Sequence, residues 1–181
     1  MHFFLTGNIQ VGKSMALREA LRVLGMPVCG FETFFPAERG REDSRLLMRR
    51  AGAPRVDDDA SVVARFEGGR MVGLPERFDA IGCALLAEAD RGGRLILMDE
   101  CGRLEAGALR FQQAVLRALD GGTPVLGVVR QGAGGWTEKI IRHPRVQVVT
   151  VTEENRDGMP ERIVRHVAKG LYNQAGQYRH K

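Results

Sequence analysis

The run Gly7-Asn8-Ile9-Gln10-Val11-Gly12-Lys13-Ser14 constrains this chain more than any other stretch. It fits the pattern G-x-x-x-x-G-K-[ST] without a mismatch. The glycines let the backbone curl so that successive N–H groups aim at one anion. Lys13 adds a charge able to reach the β- and γ-phosphates of a nucleotide. Ser14 offers a hydroxyl to magnesium at the positive end of the helix that follows. The setting fits as well. Phe3 to Thr6 is a short apolar run before the loop, and Ala16, Leu17, Ala20, Leu21 and Leu24 share one helical face after it. Gly25 stands where a C-terminal helix cap belongs.

A phosphate loop needs an acidic partner to hold the metal. Leu95-Ile96-Leu97-Met98-Asp99-Glu100 supplies one, an apolar strand whose carboxyl end carries two acids. In open parallel sheets the ligand crevice lies at that end of the strands. If this strand lies beside the first, Asp99 faces the magnesium sphere, reaching the ion through water. Glu100 is then the general base or water-orienting group. Glu105 is near enough in sequence to reach the same crevice as a further acid, and a helix N-terminus explains it equally well.

The remaining chain alternates strands and helices. Strands are expected at Pro27–Thr33, Arg94–Met98, Pro124–Val129 and Val146–Thr150. Helices are expected from Pro75 through about Ala89, over Gly107–Leu119 and over Glu153–Leu171, the last interrupted near Gly158-Met159-Pro160. Such alternation predicts a mainly parallel sheet with helices on both faces. Val62–Phe66 and Arg70–Leu74, joined at Gly68-Gly69, form an appended β-hairpin. Residues 36–59 carry Arg39, Arg41, Arg45, Arg49, Arg50 and Arg55 and read as a solvated basic loop. The expected organisation is one domain over 1–172, with an insert around 36–74 and a polar tail over 173–181.

Composition narrows the classes. No apolar run approaches the ~18–20 residues of a bilayer-spanning helix. The N-terminal residues read as a first strand and not as a signal peptide, so a cytoplasmic location without membrane attachment is expected. Cys29, Cys83 and Cys101 are widely spaced with no C-x-x-C, which disfavours a disulfide framework or zinc site. The net charge of +5 comes mostly from arginine, since only Lys13, Lys139, Lys169 and Lys181 are lysine. With no lysine run and no stacking motif, nucleic acid is disfavoured as a partner against a nucleoside triphosphate. The oligomeric state is left open.

Several stretches together resemble the P-loop nucleoside-triphosphatase family of the cancer-related nucleoside-triphosphatase type. They are Leu5-Thr6-Gly7 to Ser14, Gly30-Phe31-Glu32-Thr33, Asp99 to Glu105, Thr123-Pro124-Val125-Leu126 and Asn155-Arg156-Asp157. The matches run in order from about residue 3 to 167. Ile9-Gln10 stands where the family often has Pro-Gly, and Arg103-Leu104 replace its Lys-Met. The resemblance implies the three-layer α/β P-loop NTPase fold and a slow, magnesium-dependent nucleoside-triphosphatase of relaxed base preference. It also implies that Asn155 and Arg156 lie near the nucleotide. From the residues alone, Asn155 is a helix start. Hydrolysis therefore leads. A nucleotide or small-molecule kinase and a nucleotide-controlled binding module are the alternatives, and Arg103, Arg130 and Arg156 are equal candidates for a transition-state arginine.

Overall fold

A computed structural model describes residues 1–37, 41–88, 95–130, 132 and 135–177, with the backbone alone beyond 171. Arg39, Ala89, Arg94 and residues 178–181 of the expected tail lie outside the described residues. The elements are β1 (His2–Thr6), α1 (Lys13–Leu24), β2 (Val28–Phe34), β3 (Arg45–Arg50), β4 (Val62–Glu67), β5 (Arg70–Gly73), α2 (Pro75–Arg77) and α3 (Cys83–Ala87). They continue with β6 (Leu95–Cys101), α4 (Leu109–Asp120), β7 (Val125–Val129), α5 (Thr137–Ile141), β8 (Val146–Thr150) and α6 (Met159–Gln177).

All eight strands join one sheet in the order β5-β4-β3-β2-β6-β7-β1-β8. The strands from β2 to β8 in that order pair in parallel. β3, β4 and β5 extend the edge in antiparallel fashion. β6 is therefore not the neighbour of β1, because β7 lies between them. Every residue of β1 is buried, as a central parallel strand covered on both faces requires.

Two cores cover the two faces. On one, Phe4, Phe31 and Met98 pack with Phe78, Phe111 and Trp136. On the other, Phe3, Leu5 and Leu97 pack with Leu17 and Ala20 of α1 and with Ile163 and Val167 of α6. Full burial of a large apolar side chain contributes roughly 1.5–3 kcal/mol, so these layers hold the sheet. Between α2 and α3 the helix widens into a π turn over Phe78–Gly82. There the Asp79 carboxylate accepts from the Phe111 amide at 2.8 Å, and the Phe78 and Phe111 ring centroids stand 5.8 Å apart.

Three expectations need correction. The basic loop contains a strand, β3, whose Leu46, Leu47 and Met48 are all buried. Its arginines are held in ion pairs: Arg45 with Asp57 and Asp59, Arg49 with Glu32, and Arg50 with Glu88. A short helix, α5, lies between the strands expected at Pro124–Val129 and Val146–Thr150, where no element is assigned from the sequence. The last helix begins at Met159 and its backbone continues to Gln177, so helix replaces polar tail over 173–177.

Candidate functional site

The phosphate loop leaves β1 at Gly7, whose φ of +131° is a conformation that L side chains rarely adopt. A Cβ there would stand 2.5 Å from the Val151 carbonyl oxygen. Glycine at this position thus lets the loop bend against the end of β8. Gln10 also has a positive φ, 64°, so the curl does not rest on glycine alone. At the far end Gly12 precedes α1, and the Ala16 amide donates to its carbonyl at 2.9 Å. The Lys13 ammonium reaches back over the loop and donates to the carbonyls of Gly7 and Asn8 at 2.8 and 2.6 Å. Burial, and Arg130 to a lesser degree, lower the pKa of Lys13, while Glu100 and Asp99 oppose the shift.

A cleft of about 400 Å³ lies over this loop and contains Lys13, Ser14, Arg18, Glu100 and Arg130. A second crevice, about 180 Å³, adjoins it on the side of the β3–β5 extension. Ser14, Asp99, Glu100, Glu105 and Arg130 all line that crevice, along with Thr33 and Phe35. A third groove of about 640 Å³ runs between Gly7–Val11 and Thr150–Glu153. The parallel topology brings these surfaces together, since β1, β6, β7 and β8 all end at the same edge of the sheet.

Asp99 and Glu100 project from the end of β6. Glu32 of β2 is the register partner of Asp99, and the Thr33 hydroxyl donates to the Asp99 carbonyl at 3.0 Å. Loss of solvent raises the Asp99 carboxyl to about 6, and Glu32 and Glu100 push the same way. Arg18 and Arg55 oppose the rise. Although β7 separates β6 from β1, the strand ends converge enough for Asp99 and Ser14 to share one crevice.

Glu105 is buried and belongs to a wired loop, ahead of α4 and not at its first turn. Its carboxylate accepts from the Gly102 amide at 3.0 Å. The Gln112 side-chain amide donates to the carbonyls of Glu105 and Ala106, each at 2.8 Å. The Trp136 indole N–H donates to the Gly102 carbonyl at 2.7 Å. These bonds fix the main chain immediately after Glu100. Burial raises Glu105 to about 7, with Glu100 adding to the rise while hydrogen bonds and Arg130 counter it.

Asn155 and Arg156 follow the segment 150–153 that lines the third groove, without lining it themselves. The Asn155 side chain accepts from the Thr152 amide and donates to the Thr150 carbonyl, both at 3.0 Å, so it shapes the turn leaving β8. The Arg156 side chain lies over Gly12, with its Cδ 3.7 Å from where a Cβ would stand. Of the three candidate arginines, Arg103 is exposed beside β5 and lines the second crevice, Arg156 covers the outside of the loop, and Arg130 lines both of the first two clefts. Two contributors escaped the sequence reading. Arg18 was detectable, being one helical turn from Ser14, to whose carbonyl it donates at 3.1 Å. Trp136 carried no local signal, because only the fold brings it to Gly102.

A family model described as NTPase matches residues 2–164. Nucleoside-triphosphatase THEP1 of Thermofilum pendens is 28% identical over 185 residues, covering 92% of this chain and 95% of that protein. The cancer-related nucleoside-triphosphatase homolog of Bos taurus is 31% identical over 182 residues, covering 92% and 96%. Among solved structures, THEP1 of Aquifex aeolicus superposes with a TM-score of 0.73 at 20% identity, over 90% of this chain and 96% of that one. The human cancer-related nucleoside triphosphatase superposes with a TM-score of 0.68 at 29% identity, over 92% and 96%.

Proposed function

The chain belongs to the NTPase family and is a nucleoside-triphosphatase; from that premise we propose that it is magnesium-dependent, accepts several bases, and activates water with Glu100. One observation carries the reading. Lys13, Ser14, Asp99 and Glu100, drawn from two strands that are not neighbours, meet in adjoining clefts at one edge of the sheet.

The residues fit a magnesium ion. Magnesium takes one or two protein oxygens and completes its octahedron with water and substrate phosphate. A Ser14 hydroxyl and an Asp99 carboxylate in one crevice make such a donor pair. The carboxyl groups of Glu32 and Glu100 already strain the ionised form of Asp99, a repulsion that a cation relieves. When bound, the ion would neutralise charge on the β- and γ-phosphates.

In the proposed reaction the loop amides and Lys13 hold the triphosphate. Glu100 orients a water molecule in line with the γ-phosphorus and takes its proton. The water oxygen bonds to phosphorus as the bond to the β–γ bridging oxygen breaks, which leaves nucleoside diphosphate and phosphate. Gly102, pinned by Trp136 and Glu105, keeps the Glu100 backbone in place. Asn155 and Arg156 form the flank nearest the ribose and base. The breadth of the third groove supports a relaxed base preference. A kinase reading would draw on the arginines of 39–55, but the ion pairs of Arg41, Arg45, Arg49 and Arg50 leave those four poorly placed to receive an anionic acceptor.

Phosphate release from ATP, GTP, CTP and UTP, each with magnesium and with excess chelator, tests the proposal. Slow release from several triphosphates, abolished by chelation, is expected. Release that persists under chelation, or that is confined to one base, contradicts it.

A further inference from the structure

We propose that Arg130 is a catalytic residue of this site, its guanidinium binding the γ-phosphoryl group as charge builds during transfer. The inference rests on the reading of the phosphate site above.

Arg130 is the first residue beyond β7, the strand inserted between the phosphate-loop strand and the acidic strand. That insertion is what aims its side chain into the gap between Lys13 and Glu100. Its main chain is fixed there, since its amide donates to the Cys101 carbonyl at 2.9 Å, one residue beyond Glu100. Its Cβ and Cδ each stand 3.5 Å from where a Gly102 Cβ would be. The side chain lines both the cleft of Lys13 and the crevice of Asp99. Ser14 and Glu100 line both clefts as well, and of the three Arg130 is the cation.

Electrostatics point the same way. Arg45, Arg49 and Arg50 each meet a carboxylate, whereas Arg130 makes no ion pair within 4.0 Å among the described residues. It lines the same cleft as Lys13, whose ammonium is held on the loop carbonyls of Gly7 and Asn8. Lys13 and Arg130 place two half-buried cations around one cleft, a setting that suits an anionic ligand. A transferring phosphoryl group has the matching chemistry: spread negative charge on three oxygens, which a planar guanidinium binds in a bidentate manner. The bond strengthens as the β–γ bridging oxygen departs, so it lowers the barrier more than it aids binding. No covalent bond to Arg130 forms, and it transfers no proton.

The test compares wild type, Arg130→Ala, Arg130→Lys and Glu100→Gln as full-length protein with magnesium. Turnover is measured with ATP, and affinity is measured for ADP alone and for ADP with fluoroaluminate, which mimics the phosphoryl group in flight. Arg130→Ala is expected to lose roughly 10²–10³-fold in kcat. Its affinity for ADP should stay within about threefold of wild type, and the tightening by fluoroaluminate should disappear. Arg130→Lys should retain a fraction of both properties, and it carries the test if the alanine variant does not fold. Turnover within about threefold of wild type, or ADP affinity falling in parallel with kcat, overturns the proposal. Wild-type turnover in Glu100→Gln would overturn the assignment of Glu100 instead. The fluoroaluminate arm still decides Arg130 in that case.

Discussion

Glu105 shows how much one side chain's surroundings decide. It is a carboxyl group with 3% exposure, holding the Gly102 amide beside the strand end that bears Glu100. Its folded pKa of about 7 lies above the ordinary 4.5, so the native state holds a proton there that the unfolded chain has released. Stability therefore falls as pH rises from 4.5 to about 7 and loses nothing further above that. Glu105→Gln keeps the acceptor oxygen and removes the charge. Urea midpoints should show the variant more stable than wild type at pH 8 and no more stable at pH 4.5. Equal differences at both pH values would contradict the buried-charge account. Lys13→Ala is a sharper case. The ammonium is the only side-chain cation the loop itself supplies, and its removal should weaken ATP binding by at least about tenfold in equilibrium titration. The loop residues were legible because their chemistry is local and their spacing is fixed. The choice among Arg103, Arg130 and Arg156 was not, since it depends on which strand ends adjoin.

At the scale of elements, close backbone approach is the constraint most open to mutation. Gly30 in β2 has a φ of +90°, and a Cβ there would come within 2.2 Å of the Leu97 carbonyl of β6. That pairing carries Glu32 opposite Asp99. Gly30→Ala should cost at least about 2 kcal/mol, read as a fall in the urea midpoint, because backbone strain adds to the displacement of a strand. A change within 0.5 kcal/mol would mean that the strands separate more easily than their register implies. The helices α1 and α4 were legible from their apolar faces, and the β4–β5 hairpin from its two-glycine turn. β3 was hidden because its flanking arginines look solvated. Only the assembled sheet supplies Glu32, Asp57, Asp59 and Glu88 as their partners. Likewise, nothing local in α6 marks where the helix stops.

Across the whole molecule, the helical layer of α4 is tied to the sheet at the end opposite the site. His2 is buried at the start of β1, where its ring bonds the Leu119 carbonyl at 2.8 Å and accepts from the Val125 amide at 3.1 Å. This joins the end of α4 to β7. Burial lowers its pKa from 6.5 to about 4, and the nearby amino terminus, Arg145 and His143 add to the shift. The unfolded chain takes up that proton first on acidification. His2 therefore contributes stability that is complete above 6.5 and is lost as pH falls toward 4. The slope of stability against pH over that window should flatten in His2→Gln; an unchanged slope would assign the loss to other groups. The class of fold was readable from strand–helix alternation. The strand order was not, because alternation does not say which strands become neighbours, and it is the insertion of β7 that separates Asp99 and Glu100 from the phosphate loop's own strand.

Single-turnover hydrolysis by Glu100→Gln tests the central assignment most directly. The variant, loaded with ATP and magnesium in excess over nucleotide, is quenched over time and its bound nucleotide separated. Glu100 as the group that activates water requires ATP to bind as in wild type and to be recovered mainly as triphosphate, with hydrolysis slowed on the order of 10²–10⁴-fold. Diphosphate formed at the wild-type rate, or binding lost together with turnover, would contradict it.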